Sequence, residues 1–259
     1  MRLSSVLAVL ALAAAGSVVA AGPAAAATVW GANPPAGNRL VTNEYAYWNR
    51  GRAGSLTSPS WEMTSGSLYA RRTSAGSVYW SGRPDDRAPD ARSASGTNSA
   101  VFRLTTKAAT FRDTTVRTRL NIAGLTATRS TPRTDWDGIH LFLRYRGERH
   151  LYYASVARRD GHVVLKKKCP GGSSNGGTYY TLAERAGHRI PYGRWRWVSA
   201  SARNHASGAV SLYLSVGDRL VLRATDRDTG CGAIRAAGRV GVRGDNANFT
   251  FQSFRAARL

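Results

Sequence analysis

The chain has 259 residues, of which 37 are basic and 15 acidic, so its formal net charge is +22 at pH 7. This balance favours a polyanionic partner, such as acidic polysaccharide, anionic cell wall or nucleic acid. The arginines are scattered along the whole sequence, whereas three of the four lysines adjoin at Lys166, Lys167 and Lys168. The local lysine cluster is therefore more informative than the total charge.

Residues 1–27 have the pattern of a secretory signal peptide. They contain Arg2, then an apolar run, then a small-residue end near Ala27. No long uncharged apolar run follows, so we expect no membrane anchor. The sequence predicts a secreted, extracellular, monomeric protein in which residues 28–259 form a single domain.

The chain has two cysteines, Cys169 and Cys231, and both lie in the part predicted to be exported. In an oxidising compartment a pair of this kind is typical of a structural disulfide, and we predict that the two are bonded. Free thiols or a shared metal are the alternatives.

Short strand patterns separated by turn residues run along the rest of the chain. Residues 39–49 form the first strand or extended segment, and residues 60–69 a strand, a turn and a second strand. Residues 71–98 are loop-like, because Gly, Pro and Asp recur there with few periodic apolar residues. Further strands are predicted at residues 99–105, 114–122, 139–145, 151–157, 163–168, 178–182, 195–202, 210–216, 220–225, 239–243 and 248–254.

The central stretch, residues 135–168, reads as three strands joined by two tight turns. The second turn contains Asp160-Gly161, and an Asp-Gly pair between alternating apolar runs is a strong hairpin signal. Alternation places residues 139, 141 and 143 on one face of the first strand and His140, Phe142 and Arg144 on the other. The same rule separates Tyr152 from Tyr153, and it turns Lys167 away from Lys166 and Lys168. The lone middle lysine faces the core, or else it protects an edge strand.

After residue 27 no stretch shows convincing helical periodicity. A dozen or so short strands with regular turn signals are typical of an all-β protein, so we predict a two-sheet antiparallel β-sandwich, or jelly roll.

Several segments resemble secreted members of the concanavalin A-like lectin/glucanase superfamily. They are LVTNEYAYWN, WDGIHLFLRY, PYGRWRWV, LYLSVGDRLVLRATD and the closing RVGVRGDNANFTFQSF. The resemblance implies two curved sheets, a sugar groove on the concave one, and first and last strands side by side on the other. Such domains commonly hold a structural calcium ion, for which Glu44 and Asp245 are the candidate ligands. The alternative is that both cap turns or pair with arginine. No other cofactor is expected.

The superfamily includes lectins, hydrolases and lyases, so the resemblance does not specify the function, and the residues disfavour only the hydrolases. A glycoside hydrolase needs two carboxylates across the scissile bond, and the ExDxxE pattern of the related glucanases is missing. A polysaccharide lyase instead neutralises a uronate carboxylate and moves the C5 proton with Tyr or His. The candidate catalytic residues are His140, Arg144 and Tyr153. The candidate substrate-binding residues are Trp136, Phe142, Tyr152, Lys166 and Lys168.

The leading hypothesis is a carbohydrate-binding protein that recognises an acidic polysaccharide on a cationic, aromatic sheet face. The alternative is a lyase that uses the same face for β-elimination, and a hydrolase or a module without a sugar ligand ranks lower. For single residues a structural role stays open: a strand histidine such as His140 is often only hydrogen-bonded, and Trp136 can pack rather than stack on sugar. No nucleic-acid motif is present, so no nucleic-acid partner is expected.

Overall fold

The computed structural model describes residues 28–43, 54–74, 76–85, 97–129 and 131–259. Every regular element in these ranges is a β-strand, and none of the described residues forms a helix long and apolar enough to span a membrane. The eighteen strands are β1 Thr28–Ala32, β2 Arg39–Thr42, β3 Trp61–Ser65, β4 Leu68–Thr73, β5 Gly76–Trp80, β6 Arg83–Asp85, β7 Thr97–Ser99, β8 Val101–Thr106, β9 Thr114–Leu125, β10 Gly138–Tyr145, β11 Leu151–Arg158, β12 Val163–Pro170, β13 Gly177–Arg185, β14 Arg196–Asn204, β15 Val210–Val216, β16 Arg219–Asp226, β17 Arg239–Asp245 and β18 Ala247–Arg258.

Two antiparallel sheets face each other. The nine-stranded sheet has the order β16-β15-β14-β9-β18-β5-β4-β2, with β1 also paired to β18, and the seven-stranded sheet has the order β13-β12-β11-β10-β17-β8-β3. Strands β6 and β7 form a separate parallel pair. The predicted all-β jelly-roll sandwich is confirmed, and the first and last strands lie side by side on the nine-stranded sheet as the resemblance implied.

The core lies between the two sheets and is built from alternate residues of the strands. Trp61 is fully buried, and its ring makes edge-on contacts with Trp30, Tyr79 and Phe254 at centroid distances of 5.0, 5.8 and 5.1 Å. Each large side chain buried in this way contributes about 1.5–3 kcal/mol relative to its exposed state. Because only every second residue faces inward, the outer face of each sheet is left for other roles.

The three predicted central strands are confirmed as β10, β11 and β12, with bounds within two residues of those expected. Gly138 begins β10 with φ at +143°, and a side chain there would meet the carbonyl oxygen of Ala157 at 1.8 Å. Only glycine fits this position, since any Cβ would collide with β11. The close approach fixes where β10 and β11 begin to pair.

The segment predicted to be loop-like, residues 71–98, is partly regular, and that prediction was wrong for its first half. Strand β5 lies within it, pairs with β4 and β18, and buries Val78, Tyr79 and Trp80. The β5 segment is short and flanked by glycine. The prediction gave these strand-breaking residues more weight than the aromatic and β-branched residues of the segment, which favour a strand. Residues 86–96 lie outside the described part of the chain.

The predicted disulfide is confirmed. Cys169 and Cys231 are bonded with their Cα atoms 5.7 Å apart, and the bond closes a loop across 62 positions of sequence. The bond ties the end of β12 to the loop that follows β16.

Removing this disulfide should lower the free energy of unfolding by about 4 kcal/mol, because the reduced unfolded chain regains loop-closure entropy. Urea unfolding of the oxidised protein and of the Cys169→Ala/Cys231→Ala variant measures the difference. Equal midpoints would show that the bond does not contribute to stability.

Candidate functional site

A groove of about 480 Å³ lies on the outer face of the seven-stranded sheet. Cavities of this size are typical of small-ligand sites. Its floor consists of His140 from β10, Tyr153 and Ser155 from β11, Lys166 from β12, and Arg243 and Asp245 from β17. Its rim consists of Trp136, Tyr179 and residues 173–175.

Alternation explains why these floor residues converge. Their strands are neighbours in the order β12-β11-β10-β17, and His140, Tyr153 and Ser155 each stand between two residues of the core. On β10, the residues on either side of His140 are Ile139 and Leu141, and both point into the core. On β17, Val242 precedes Arg243 and also points into the core. Strand pairing then brings the outward side chains together, because His140 is paired with Ser155 of β11 and with Arg243 of β17.

His140 is buried and has a partner on each ring nitrogen. Its Nδ1 lies 2.8 Å from Ser155 Oγ and its Nε2 lies 3.2 Å from Asp245 Oδ2. Burial lowers the pKa of His140 below its ordinary value, and the nearby Asp245 carboxylate offsets only part of that effect. The imidazole is therefore neutral at neutral pH.

Asp245 is held in its ionised form by Arg243. The Nε and Nη2 atoms of Arg243 donate to the two carboxylate oxygens at 2.8–2.9 Å. Burial alone would raise the pKa of Asp245, but the guanidinium of Arg243 and the hydrogen bond from His140 hold it well below its usual range. The same pairing raises the pKa of Arg243 against the opposing effect of burial.

Tyr153 forms the aromatic part of the floor. Its hydroxyl lies 3.2 Å from the hydroxyl of Tyr179 and accepts a long hydrogen bond of 3.4 Å from Arg243 Nη1. Burial raises the pKa of Tyr153, so the phenol keeps its proton at neutral pH. It can donate a hydrogen bond to a ligand but is a weak base.

Lys166 is the floor cation without a partner. In the described part of the chain its amine makes neither a hydrogen bond nor an ion pair, although the side chain is half-buried. Burial, and secondarily the positive charge of Arg158, lower the pKa of Lys166 from its ordinary value. A desolvated ammonium group with no acceptor favours an anionic ligand.

The rim offers two exposed aromatic faces. Trp136 is 57% exposed and Tyr179 is 38% exposed, although both are large apolar side chains. The amine of Lys168 lies 4.8 Å from the centre of the Tyr179 ring, a cation–π contact. The groove therefore combines flat apolar surfaces at its edge with positive charge inside.

Four of the eight residues predicted for catalysis or binding line this groove. They are His140, Tyr153, Trp136 and Lys166, and a fifth, Lys168, lies beside it against Tyr179. Phe142 shares their face but is fully buried under Tyr145 and Tyr153. Tyr152 points into the core, where its hydroxyl donates to Asp226 at 2.6 Å and accepts from the Ile234 amide at 2.9 Å.

Arg144 departs from the prediction that it shares a face with His140. A bulge between Phe142 and Tyr145 shifts the pairing with β17, and Arg144 adopts φ of +49°. The bulge turns Arg144 inward and places Tyr145 on the outer face. The buried guanidinium donates to Arg112 O, Ile234 O, Asn204 Oδ1 and Asp113 Oδ1 at 2.6–3.2 Å.

Replacing Arg144 with methionine should lower the free energy of unfolding by about 3–5 kcal/mol, because four acceptors, of which the Ile234 carbonyl is buried and the others partly buried, lose a charged donor. Arg144→Lys should recover little of this loss, since an ammonium cannot reproduce the planar fork of donors. Urea unfolding measures both variants. A cost below about 1 kcal/mol for the methionine variant would contradict the structural role.

The residues present do not support the predicted calcium site. Both oxygens of Asp245 are engaged by Arg243 and His140, which is the arginine pairing considered as the alternative, and Glu44 lies outside the described residues. Calcium prefers six to eight oxygen ligands, and the guanidinium of Arg243 already compensates the charge of the Asp245 carboxylate.

Another cluster of ligand-capable atoms lies at the turn between β11 and β12. Atoms of Asp160, His162 and Glu184 come within 4.8 Å of one another. The guanidinium of Arg158 contacts both carboxylates, and His162 Nδ1 lies 2.7 Å from Glu184. Both carboxylates of this cluster are thus already engaged by the guanidinium of Arg158.

Two floor residues were not singled out from the sequence. Ser155 follows Tyr153 by two positions, so strand alternation alone places it on the same face. Arg243 belongs to the closing RVGVRGDN segment and precedes Asp245 by two positions, so strand alternation places these two side chains on the same face as well. Neither signal specifies that β17 lies next to β10, which is what brings Arg243 and Asp245 to His140.

Comparisons with known proteins give similarities of shape. No protein-family model matches the sequence, and a search of curated proteins found no match. Solved structures that match include a protein of unknown function with a galectin-like fold from Bacillus subtilis, which is 12% identical over 76% of this chain and 89% of that chain, with a TM-score of 0.42. A β-glucanase from Bacillus licheniformis is 10% identical over 86% and 99%, with a TM-score of 0.44. An alginate lyase from Aplysia kurodai is 11% identical over 90% and 100%, with a TM-score of 0.46.

These structures are jelly-roll proteins of galectin-like, glucanase and lyase kinds, and the sequence resemblance named lectins, glucanases and lyases. At such low identities and TM-scores they indicate neither a substrate nor an activity for this chain. The site chemistry described above must carry any functional assignment.

Proposed function

We propose that the chain is a secreted carbohydrate-binding protein that recognises an acidic polysaccharide in the groove. The observation that carries this proposal is the unpartnered amine of Lys166 in a groove that the exposed side chains of Trp136 and Tyr179 also line. The amine suits a uronate carboxylate, and the aromatic rings suit the C–H faces of pyranose rings. The disulfide and the leader-like residues 1–27 support export to an oxidising compartment.

The binding test is electrophoresis of the mature protein in native gels that contain alginate, polyglucuronate or a neutral glucan. The high net charge would slow the protein in any polyanion, so polyacrylate, which has carboxylates but no sugar rings, is the control. We expect retention by a polyuronate that falls at high salt, and Trp136→Ala should reduce retention by the polyuronate but not by polyacrylate. Equal retention by neutral glucan and polyuronate would overturn the proposal.

A second candidate function, β-elimination of a uronate-containing glycan, is favoured by one observation. The protonated phenol of Tyr153 lies beside Arg243 and is paired across the strands with Lys166. Arg243 thus takes the role of carboxylate-neutralising arginine that was predicted for Arg144. A proton donor and two cations thus meet where a uronate carboxylate would bind. Incubation with the same polyuronates should then raise the absorbance of the unsaturated uronate, and His140→Ala or Tyr153→Phe should abolish the rise.

A further inference from the structure

The groove floor contains a chain of three hydrogen-bonding side chains that sugar binding does not use. Ser155 Oγ lies 2.8 Å from His140 Nδ1, and His140 Nε2 lies 3.2 Å from Asp245 Oδ2. Along this chain of contacts a hydroxyl is followed by an imidazole and then a carboxylate, and each group lies within hydrogen-bond distance of the next. The arrangement meets the geometric requirement for an activated nucleophile.

The direction of the hydrogen bonds follows from the charges. Asp245 is ionised and can only accept, so His140 carries its proton on Nε2 and donates it to that carboxylate. The Nδ1 atom then has a free lone pair and must accept the hydroxyl hydrogen of Ser155. The neutral imidazole is therefore poised to take a proton from the serine, while Arg243 fixes the carboxylate that orients it.

A group that stabilises negative charge lies next to the serine. Ser155 is opposite Val164 in the strand register and Tyr153 is opposite Lys166, so Lys166 is diagonal to Ser155 at a Cα separation of about 7–8 Å. Both side chains line the same groove. The unpartnered amine can reach an oxygen of a substrate carbonyl held at Ser155.

We propose that this groove hydrolyses O-acyl esters on a bound polysaccharide, with Ser155 as the nucleophile, His140 as the base and Asp245 as a positioning residue. This inference rests on the proposed sugar-binding function, because the same groove must hold the sugar that carries the acyl group. The groove of about 480 Å³ has the volume for a sugar unit that carries a short acyl group such as acetyl.

The reaction proceeds in two balanced steps. The Ser155 oxygen bonds to the ester carbonyl carbon as its proton passes to His140 Nδ1, and the carbonyl oxygen becomes an oxyanion beside Lys166. The carbonyl re-forms as the bond from that carbon to the sugar oxygen breaks, and His140 gives the proton to that oxygen, which leaves as the sugar hydroxyl. Water then attacks the acyl carbon as His140 takes its proton, the bond from that carbon to the Ser155 oxygen breaks, and His140 returns the proton to Ser155, which releases the carboxylic acid.

The test is covalent labelling of the folded wild-type protein with a fluorophosphonate, followed by mass spectrometry of its peptides. Labelling should occur on Ser155, and Ser155→Ala should lower the hydrolysis of p-nitrophenyl acetate by about 100-fold or more. Ser211→Ala is the matched control, because Ser211 Oγ lies 2.7 Å from His205 Nε2 but that imidazole has no carboxylate partner in the described chain. The control should leave labelling and hydrolysis unchanged.

Asp245→Asn tests the positioning role through the pH profile of labelling. The charged and aromatic groups that face His140 are Asp245 and Arg243 from β17, Lys166 from β12 and Tyr153 from β11. Because the Asp245 carboxylate raises the His140 pKa, its loss should move the midpoint of the labelling profile to lower pH and slow labelling at least about tenfold. A purely structural role would slow labelling without moving the midpoint.

Two outcomes overturn the inference. The first is the absence of label on Ser155 of the wild-type protein, a result that does not depend on the folding of any variant. The second is undiminished hydrolysis by folded Ser155→Ala. If either occurs while polyuronate retention persists, the esterase inference fails and the proposed binding function stands. If Ser155 is labelled but the protein is not retained by polyuronate, Ser155 is a nucleophile and the polysaccharide is not its substrate.

Discussion

Lys166→Met should weaken binding to a uronate oligosaccharide about tenfold, or ~1.4 kcal/mol, because the variant loses the only floor amine that has no partner in the described chain. Methionine keeps the length and apolar stem of lysine, so the groove wall should stay in place. Isothermal titration at low and moderate salt gives the affinity. The loss should shrink as salt rises, since screening weakens the contact in the wild type as well.

Lys107→Met is the matched control for this experiment. Lys107 is an exposed lysine just after β8, so its replacement changes the net charge by the same amount without touching the groove. Its affinity should stay within about twofold of the wild type. Equal effects of the two substitutions would mean that net charge, not the groove, sets the affinity.

Lys167→Met should lower the free energy of unfolding by about 3–5 kcal/mol. Lys167 and Asp226 form an ion pair of 2.7 Å in which both side chains are fully buried between the sheets, and the lysine amine also donates to the Gly232 carbonyl at 2.8 Å. Without the lysine, the Asp226 charge remains buried and uncompensated. The cost arises from that orphaned charge rather than from any large net value of the pair.

The double variant Lys167→Met/Asp226→Asn separates these two contributions. Asparagine brings no charge. Tyr152 and the Thr229 amide donate to different oxygens of Asp226, at 2.6 and 2.9 Å, so the single carbonyl oxygen of asparagine can still accept from one of them. Urea unfolding should show the double variant to be more stable than Lys167→Met alone. A double variant that is less stable than the single one would contradict the account.

Local sequence patterns predicted the centre of the fold well. The turn containing Asp160-Gly161 and period-2 alternation located β10, β11 and β12. They left two alternatives for Lys167, the core or a charged edge strand, and the structure shows it in the core. These features depend on neighbours in sequence, where steric and hydrophobic preferences act directly. The same alternation brought His140, Tyr153 and Lys166 onto one face.

Long-range and irregular features were not predictable in the same way. The bulge that turns Arg144 inward depends on its acceptors on Arg112, Asp113, Asn204 and Ile234, which come from distant parts of the chain. Alternation assumes an unbroken strand and so assigned the wrong face. The contact of Asp245 with His140 likewise requires β17 to lie beside β10, a pairing that local patterns do not specify.

The most direct test of the central claim is a two-dimensional ¹H–¹⁵N NMR titration of the protein with a uronate oligosaccharide. If the groove binds the sugar, the indole signal of Trp136 and the amide signals around Lys166 should shift. Trp195 and Trp197, which stack with Arg119 and Arg117 on the outer face of the nine-stranded sheet, should not. Shifts confined to Trp195 and Trp197, or no shifts at saturating ligand, would contradict the assignment of the groove as the polysaccharide site.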